Sequence, residues 1–311
     1  MIWMFLAAGF LAVSALTAAY LCFRIAFLPE KKKSGDAIEF PVGEIYKPYY
    51  PKMEQWIRET RALPREDVSI TSFDGLTLWG SYYEYTPGAP VEIMFHGYRG
   101  TAERDLSGGV QRCFSMGRSA LLVDQRCCGR SQGKAITFGI REHRDCLAWA
   151  RFASEKFGPD VKLILTGISM GAATVMMVAD KELPQNVIGI LADCGYSSPW
   201  EILRDAIRKM GLPVGIGYAF SRLGARIFAG FDPEEWSPVQ ALENSRVPVI
   251  FFHGEADEMV PCDMSRQCYE ACASRKRLVT VPGAGHGLCY VVDRPGYVQA
   301  VTEFFGPEAG S

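Results

Sequence analysis

Charge is missing from the start of this 311-residue chain: Ile2 to Phe23 contain no Asp, Glu, Lys or Arg. Histidine is scarce, with four in the whole chain, so any histidine-based site can be searched exhaustively. The ten cysteines include no C-x₂-C pair, which excludes the usual zinc-finger and zinc-ribbon spacings. No G-x-G-x-x-G follows a strand and no G-x₄-G-K-[ST] occurs, so the loops that cradle dinucleotides and nucleotide phosphates are absent. No metal, nucleotide or flavin cofactor is called for. Positive charge is not in excess either. The net charge is −2, which argues against a nucleic-acid partner, because phosphate neutralisation needs a basic face. At 48% hydrophobic and 22% charged residues, the chain is neither disordered, collagenous nor a polytopic membrane protein. There is no internal repeat and no low-complexity segment.

The uncharged run is long enough to cross the roughly 30 Å hydrocarbon core at about 1.5 Å per residue. Residues 1–28 therefore read as a transmembrane anchor. A cleaved signal peptide is the alternative, since Thr17-Ala18-Ala19 resembles a cleavage site. However, no basic residue precedes the run, and the run is longer than a signal peptide needs. Arg24 and Lys31-Lys32-Lys33 all follow the uncharged run, which predicts a single-pass protein with its body on the cytoplasmic side. Residues 1–33 carry four basic side chains and one acidic, a net of +3, and the remainder carries −5. The small basic cluster can meet anionic headgroups. Scattered cysteines in apolar runs fit a reducing compartment.

Residues 29–66 read as a juxtamembrane linker and lead-in with five prolines and a short helix near Met53–Arg61. The pattern becomes regular in residues 67–306. Val68–Ser72 and Thr77–Tyr85 form a hairpin pattern around Asp74-Gly75. Six β-rich apolar runs follow: Val91–Phe95, Ala120–Val123, Val161–Thr166, Val187–Ala192, Val249–Phe252 and Arg277–Val281. Helical patterns separate most of them. This alternation predicts an α/β domain, a mostly parallel sheet with helices on both faces. The stretch between Ala192 and Val249 is too long for one crossover helix. Residues 196–238 therefore read as a small helical cap, and its aromatics Trp200, Tyr218, Phe220, Phe228, Phe231 and Trp236 suit an apolar acyl or aryl group, or simply a core.

Two stretches match G-x-S-x-G. Gly167-Ile168-Ser169-Met170-Gly171 follows an apolar strand and precedes Ala172-Ala173-Thr174-Val175, a helix start with small residues. That is the context of a nucleophile on a sharp strand-to-helix turn. Gly129-Arg130-Ser131-Gln132-Gly133 sits in a polar loop with no helix after it, so Ser131 reads as a loop serine. A serine hydroxyl needs a histidine base and an acid that orients it. His286, in Gly285-His286-Gly287 after the last strand, is the candidate base. Asp257 is the candidate acid, with Glu255, Glu258 and Asp193 as competitors. His96 reads as support for its turn, and His143 as a solvated helix residue. An oxyanion hole needs two backbone N–H groups, expected from Met170 and from Tyr98 in the His96–Gly100 loop. Arg99 is either solvated or meets an acidic substrate group.

The ordered motifs His96-Gly97-Tyr98, Asp124-Gln125-Arg126, Gly167–Gly171, His253-Gly254 with Asp257, and Gly285-His286-Gly287 resemble those of serine α/β-hydrolases. Within that superfamily the chain resembles N-terminally anchored bacterial hydrolases of the Bem46 type, which the segment Ala192–Pro199 and the short cap also fit. The resemblance implies the α/β-hydrolase fold, nucleophile Ser169, acid Asp257, base His286 and an oxyanion hole at Tyr98 and Met170. It departs at Cys127-Cys128, where small or polar residues are more usual. The expected reaction is hydrolysis of a small-molecule carboxylic ester through an acyl-enzyme. A peptidase, amidase or thioesterase of the same fold, or a tethered non-catalytic binding module, is the alternative. A dehalogenase would need Asp at position 169.

Overall fold

The computed structural model describes residues 1–30 and 37–306. The basic cluster Lys31–Lys33 lies outside the described residues.

The sheet is built from β1 (Glu66–Thr71), β2 (Thr77–Tyr83), β3 (Val91–Phe95), β4 (Ser119–Val123), β5 (Leu163–Ile168), β6 (Val187–Asp193), β7 (Val249–Gly254) and β8 (Lys276–Val281). Their order is β1-β2-β4-β3-β5-β6-β7-β8. β2 pairs antiparallel with β1 and β4, and every later pairing is parallel. The hairpin closes where Asp74-Gly75 predicts it: Gly75 has φ +83° and Ser72 N–H donates to Leu76 O at 2.8 Å.

The helices of the body are α2 (Tyr50–Ala62), α3 (Ala102–Ser115), α4 (Glu142–Phe157), α5 (Met170–Met176), α6 (Pro199–Lys209), α7 (Val214–Gly224), α8 (Pro238–Leu242), α9 (Cys262–Ala271), α10 (Cys289–Val292) and α11 (Arg294–Phe305). The first helix of the chain, α1, runs Ile2–Phe27. Alternate side chains of a strand point to opposite faces, and the two faces are filled differently. Ile93, Leu121, Leu165 and Phe251 pack with Cys146, Trp149 and Ala153 of α4 and Cys268 of α9. Ile250 and Phe252 pack on Tyr297, Val301 and Phe305 of α11. Burying each of these large side chains is worth about 1.5–3 kcal/mol.

The lead-in is folded against the body. Pro51 starts α2 in its first turn, where a missing N–H costs nothing. Trp56 of α2 then lies across α3. The cap residues form α6, begun by the Ser198 side chain accepting from Glu201 N, then α7 and a wider turn at Ala225–Ala229.

Residues 2–14 of α1 are exposed. Its last turns are not: Ala19, Phe23 and Phe27 are buried against α7 and the turn after it. Gly224 makes this close approach possible, since a Cβ there would stand 2.4 Å from Ala19 O. The expected cap aromatics are taken up here. Phe228 packs on Tyr20 and Phe23, and Phe231 on Phe27.

Candidate active site

Ser169 follows β5 and precedes α5 with φ +56° and ψ −117°, a strained conformation for a residue with a Cβ. The strain has a geometric cause. β5 must turn into α5 beneath β3 within two residues, so the flanking positions have no room for side chains. A Cβ at Gly167 would lie 2.1 Å from Gly171 O, and one at Gly171 2.0 Å from Phe95 O. Ser169 N–H is held by Asp193 O at 2.8 Å, and Ser169 lines a cavity.

His286 approaches from the loop after β8. Its Nδ1 donates to Asp257 Oδ2 at 2.7 Å, and its Nε2 lies 4.0 Å from Cys194 Sγ. Asp257 also accepts from the N–H groups of Met259 and Val260 through Oδ1, at 2.8 and 2.9 Å. Burial alone would raise its carboxyl. Hydrogen bonds with His253 and His286 outweigh burial and hold it well below the usual carboxylate range. The competing acids are used elsewhere. Glu255 accepts from Thr280, and Glu258 is exposed. Asp193 accepts from the Tyr297 hydroxyl at 3.1 Å, and burial raises its carboxyl. Cys194, Asp257 and His286 offer three ligand atoms within 4.8 Å of one another. However, the Asp257–His286 pair is already closed by a direct hydrogen bond, which suits an acid–base relay better than a metal.

His253 carries a role that motif reasoning missed. The imidazole is fully buried, with Nδ1 at 2.6 Å from Ser265 Oγ and Nε2 at 2.9 Å from Val260 O and 3.3 Å from Asp257 Oδ2. It braces the loop that presents Asp257. The available signal was its position at the end of β7, four residues before the acid.

Tyr98 lies in the loop after β3, whose Gly97 stands close to Ser169, and Met170 follows Ser169 and opens α5. Among the described residues neither N–H is used by another group. The Tyr98 loop is fixed by Gly97 N–H donating to Asp105 Oδ2 at 3.2 Å and by His96. His96 is buried, with Nδ1 donating to Gly97 O and Nε2 accepting from Gln125 N–H, and burial lowers its pKa. Ser131 is buried, donating to Asp124 O at 2.5 Å and accepting from Trp79 N–H, so it is a loop brace away from the Ser169 turn. Cys127 adopts φ +69° in this loop, and Glu142 ties down the following segment through Thr137 and Gly139. His143 is not solvated as its helix position suggests. It is half-buried, with Nδ1 at 2.9 Å from Gly139 O, because the loop before α4 folds back over it. Arg99 does not wait for an acidic group: its guanidinium binds the carbonyls of Ile25 and Leu28.

Ser169 and His286 open onto a cavity of about 370 Å³. Its other walls include Tyr46, Met53 and Trp56 of the lead-in, with Arg104, Arg112 and Asp193 at its polar parts. No described residue between 196 and 238 lines it. The apolar wall expected from the cap is instead supplied by residues 41–56, because the cap aromatics are engaged by α1 and by the body.

A parallel sheet with a strained serine between β5 and α5, and an Asp–His pair on the loops after β7 and β8, defines an α/β-hydrolase fold. Residues 93–300 match the model of the alpha/beta hydrolase family, and the chain belongs to that family. It is 25% identical to the Bacillus subtilis protein YqkD over 190 residues, 61% of this chain and 62% of that one. It is 27% identical to the Saccharomyces cerevisiae membrane protein YNL320W, over 60% and 61% of the two chains. The match to bem46 of Schizosaccharomyces pombe is 23% identical, over 77% and 76%. Among solved structures, an esterase of Pyrococcus furiosus superposes with a TM-score of 0.66 at 19% identity, covering 89% of this chain and 97% of that one.

Proposed function

We propose that this hydrolase cleaves a carboxylic ester through an acyl-enzyme, with Ser169 attacking, His286 carrying the proton and Asp257 stabilising the imidazolium. The observation that carries this reading is the 2.7 Å Asp257–His286 hydrogen bond facing the same cavity as the strained Ser169. The N–H groups of Tyr98 and Met170 would receive the oxyanion; losing one such donor typically costs about 2.7–4 kcal/mol of transition-state stabilisation. The apolar walls at Tyr46, Met53 and Trp56 favour an acyl or aryl group over a charged one. A thioester or amide would use the same groups.

The membrane belongs to the same proposal. α1 is long and apolar enough to cross a bilayer, and the Saccharomyces cerevisiae relative is named a membrane protein. The placement of Arg24 in the last turn of α1, and of Lys31-Lys32-Lys33 after it in the sequence, favours a cytoplasmic body. The full chain in detergent or vesicles is the sample to test, because the last turns of α1 are packed on the body. It should hydrolyse p-nitrophenyl esters and accept a fluorophosphonate on Ser169. Ser169→Ala should abolish both, and activity surviving that change would overturn the assignment.

A further inference from the structure

A membrane-spanning α1 constrains where the cap lies. Residues 2–14 are the part of α1 exposed all round, a length of about 20 Å at 1.5 Å per residue. The hydrocarbon core needs about 30 Å, or some 20 residues. The span must therefore include several residues that are already packed on α7. Ala19 and Phe23 are the buried part of that packed face, with Ala15, Ala18 and Cys22 half-buried, and Gly224 lets the two backbones approach closely. Small residues at the contact are how helices pack within lipid.

The surface of α7 fits the same placement. From Met210 to Ser221 there is no charged residue. Met210, Leu212, Ile216, Leu223 and Ile227 are nevertheless exposed, Ile216 by 64%. Such a patch is costly in water and marks a contact surface. The nearby charges are turned to one another instead. Arg222 and Arg226 both bind Asp232, and Arg208 and Lys209 bind Asp205.

We propose that the α6–α7 turn and the outer face of α7 are embedded in the near leaflet of the bilayer, with acyl chains covering Leu212, Ile216 and Leu223. The cap is then a second membrane contact, continuous with the anchor. This proposal rests on the membrane reading of α1, and its test separates the two. The photoreactive p-benzoylphenylalanine is placed singly at Phe5, Ile216, Leu223 and Glu155 of the full chain, reconstituted in phosphatidylcholine–phosphatidylglycerol vesicles. All four side chains are exposed outside a bilayer, so the substitutions disturb no core. Irradiation should yield lipid adducts at positions 5, 216 and 223 and none at 155. Adducts at 5 but not at 216 and 223 would overturn the cap proposal while leaving the anchor intact. Absence of adducts at 5 would overturn the membrane reading itself, and the cap proposal with it.

Discussion

The Tyr98 hydroxyl donates to the carbonyl oxygen of Ala26 at 2.8 Å, across 72 residues of sequence. The next residue, Arg99, reaches Ile25 O and Leu28 O at 2.8 Å each. The final carbonyls of a helix have no partners within it, and here the loop proposed to hold the oxyanion supplies them. The end of the apolar helix and the proposed oxyanion loop are thus one hydrogen-bonded unit.

Loosening that unit should lower stability and turnover together. Arg99→Ala removes three donor contacts, for a loss of about 1–3 kcal/mol. Tyr98→Phe keeps the proposed oxyanion N–H and removes only the bond to Ala26, so its effect should be smaller, about 1 kcal/mol. Thermal unfolding and kcat on a p-nitrophenyl ester, measured on the full chain, check both. Unchanged kcat in Arg99→Ala would show that the link is only structural.

The hydrogen bonds on Asp257 fix the sign of a pH effect. Its carboxyl titrates below the ordinary range in the folded protein. The stabilisation it gives is therefore complete above about pH 4, where an unfolded Asp is ionised, and is lost only as pH falls toward its folded value. Asp257→Asn should cut kcat by a factor on the order of 10⁴, because the amide can donate to Nδ1 and hold the wrong imidazole tautomer, and no charge remains to stabilise the imidazolium. It should also remove the most acidic part of the stability profile. A milder variant, His253→Gln, should reduce kcat with KM nearly unchanged, since His253 touches the acid loop and not the cavity.

Glu92 is a charge in the middle of the sheet. It is fully buried on β3 and bound by Arg112, by Arg118 at 2.7 Å and by Thr166 at 2.9 Å. Burial pushes its carboxyl up, but the two guanidiniums prevail and bring it down to about 2. Its contribution is therefore present above about pH 4.5 and fades as pH falls toward 2. Arg112→Met leaves the carboxylate short of one partner and should cost about 3–5 kcal/mol. Urea unfolding at neutral pH and at pH 3 checks the magnitude and its direction, and the deficit should shrink at the lower pH.

Much of the fold was legible because its signals are local. Val91–Phe95 and Val249–Phe252 are short β-branched and aromatic runs between helical patterns, and both are strands. The Ser169 turn was legible because Gly167 and Gly171 report the lack of room around it. His253 was harder to read. A buried histidine at a strand end has the same local sequence whether it supports a loop or performs chemistry. The lead-in wall of the cavity was not legible, since Tyr46 and Trp56 reach it only through the docking of residues 41–62 on the body.

The sequence by itself determined the alternation of strands and helices, the strained serine turn and the long apolar helix. Each depends on neighbours within a few residues: periodicity, turn chemistry, absence of charge. Tertiary structure decided what those parts face. It joined Asp257 to His286, placed the lead-in rather than the cap on the cavity wall, and fastened the end of α1 to Tyr98 and Arg99. Those outcomes depend on contacts between residues distant in the chain, where close backbone approach at Gly224 and the need to satisfy helix-end carbonyls select one arrangement.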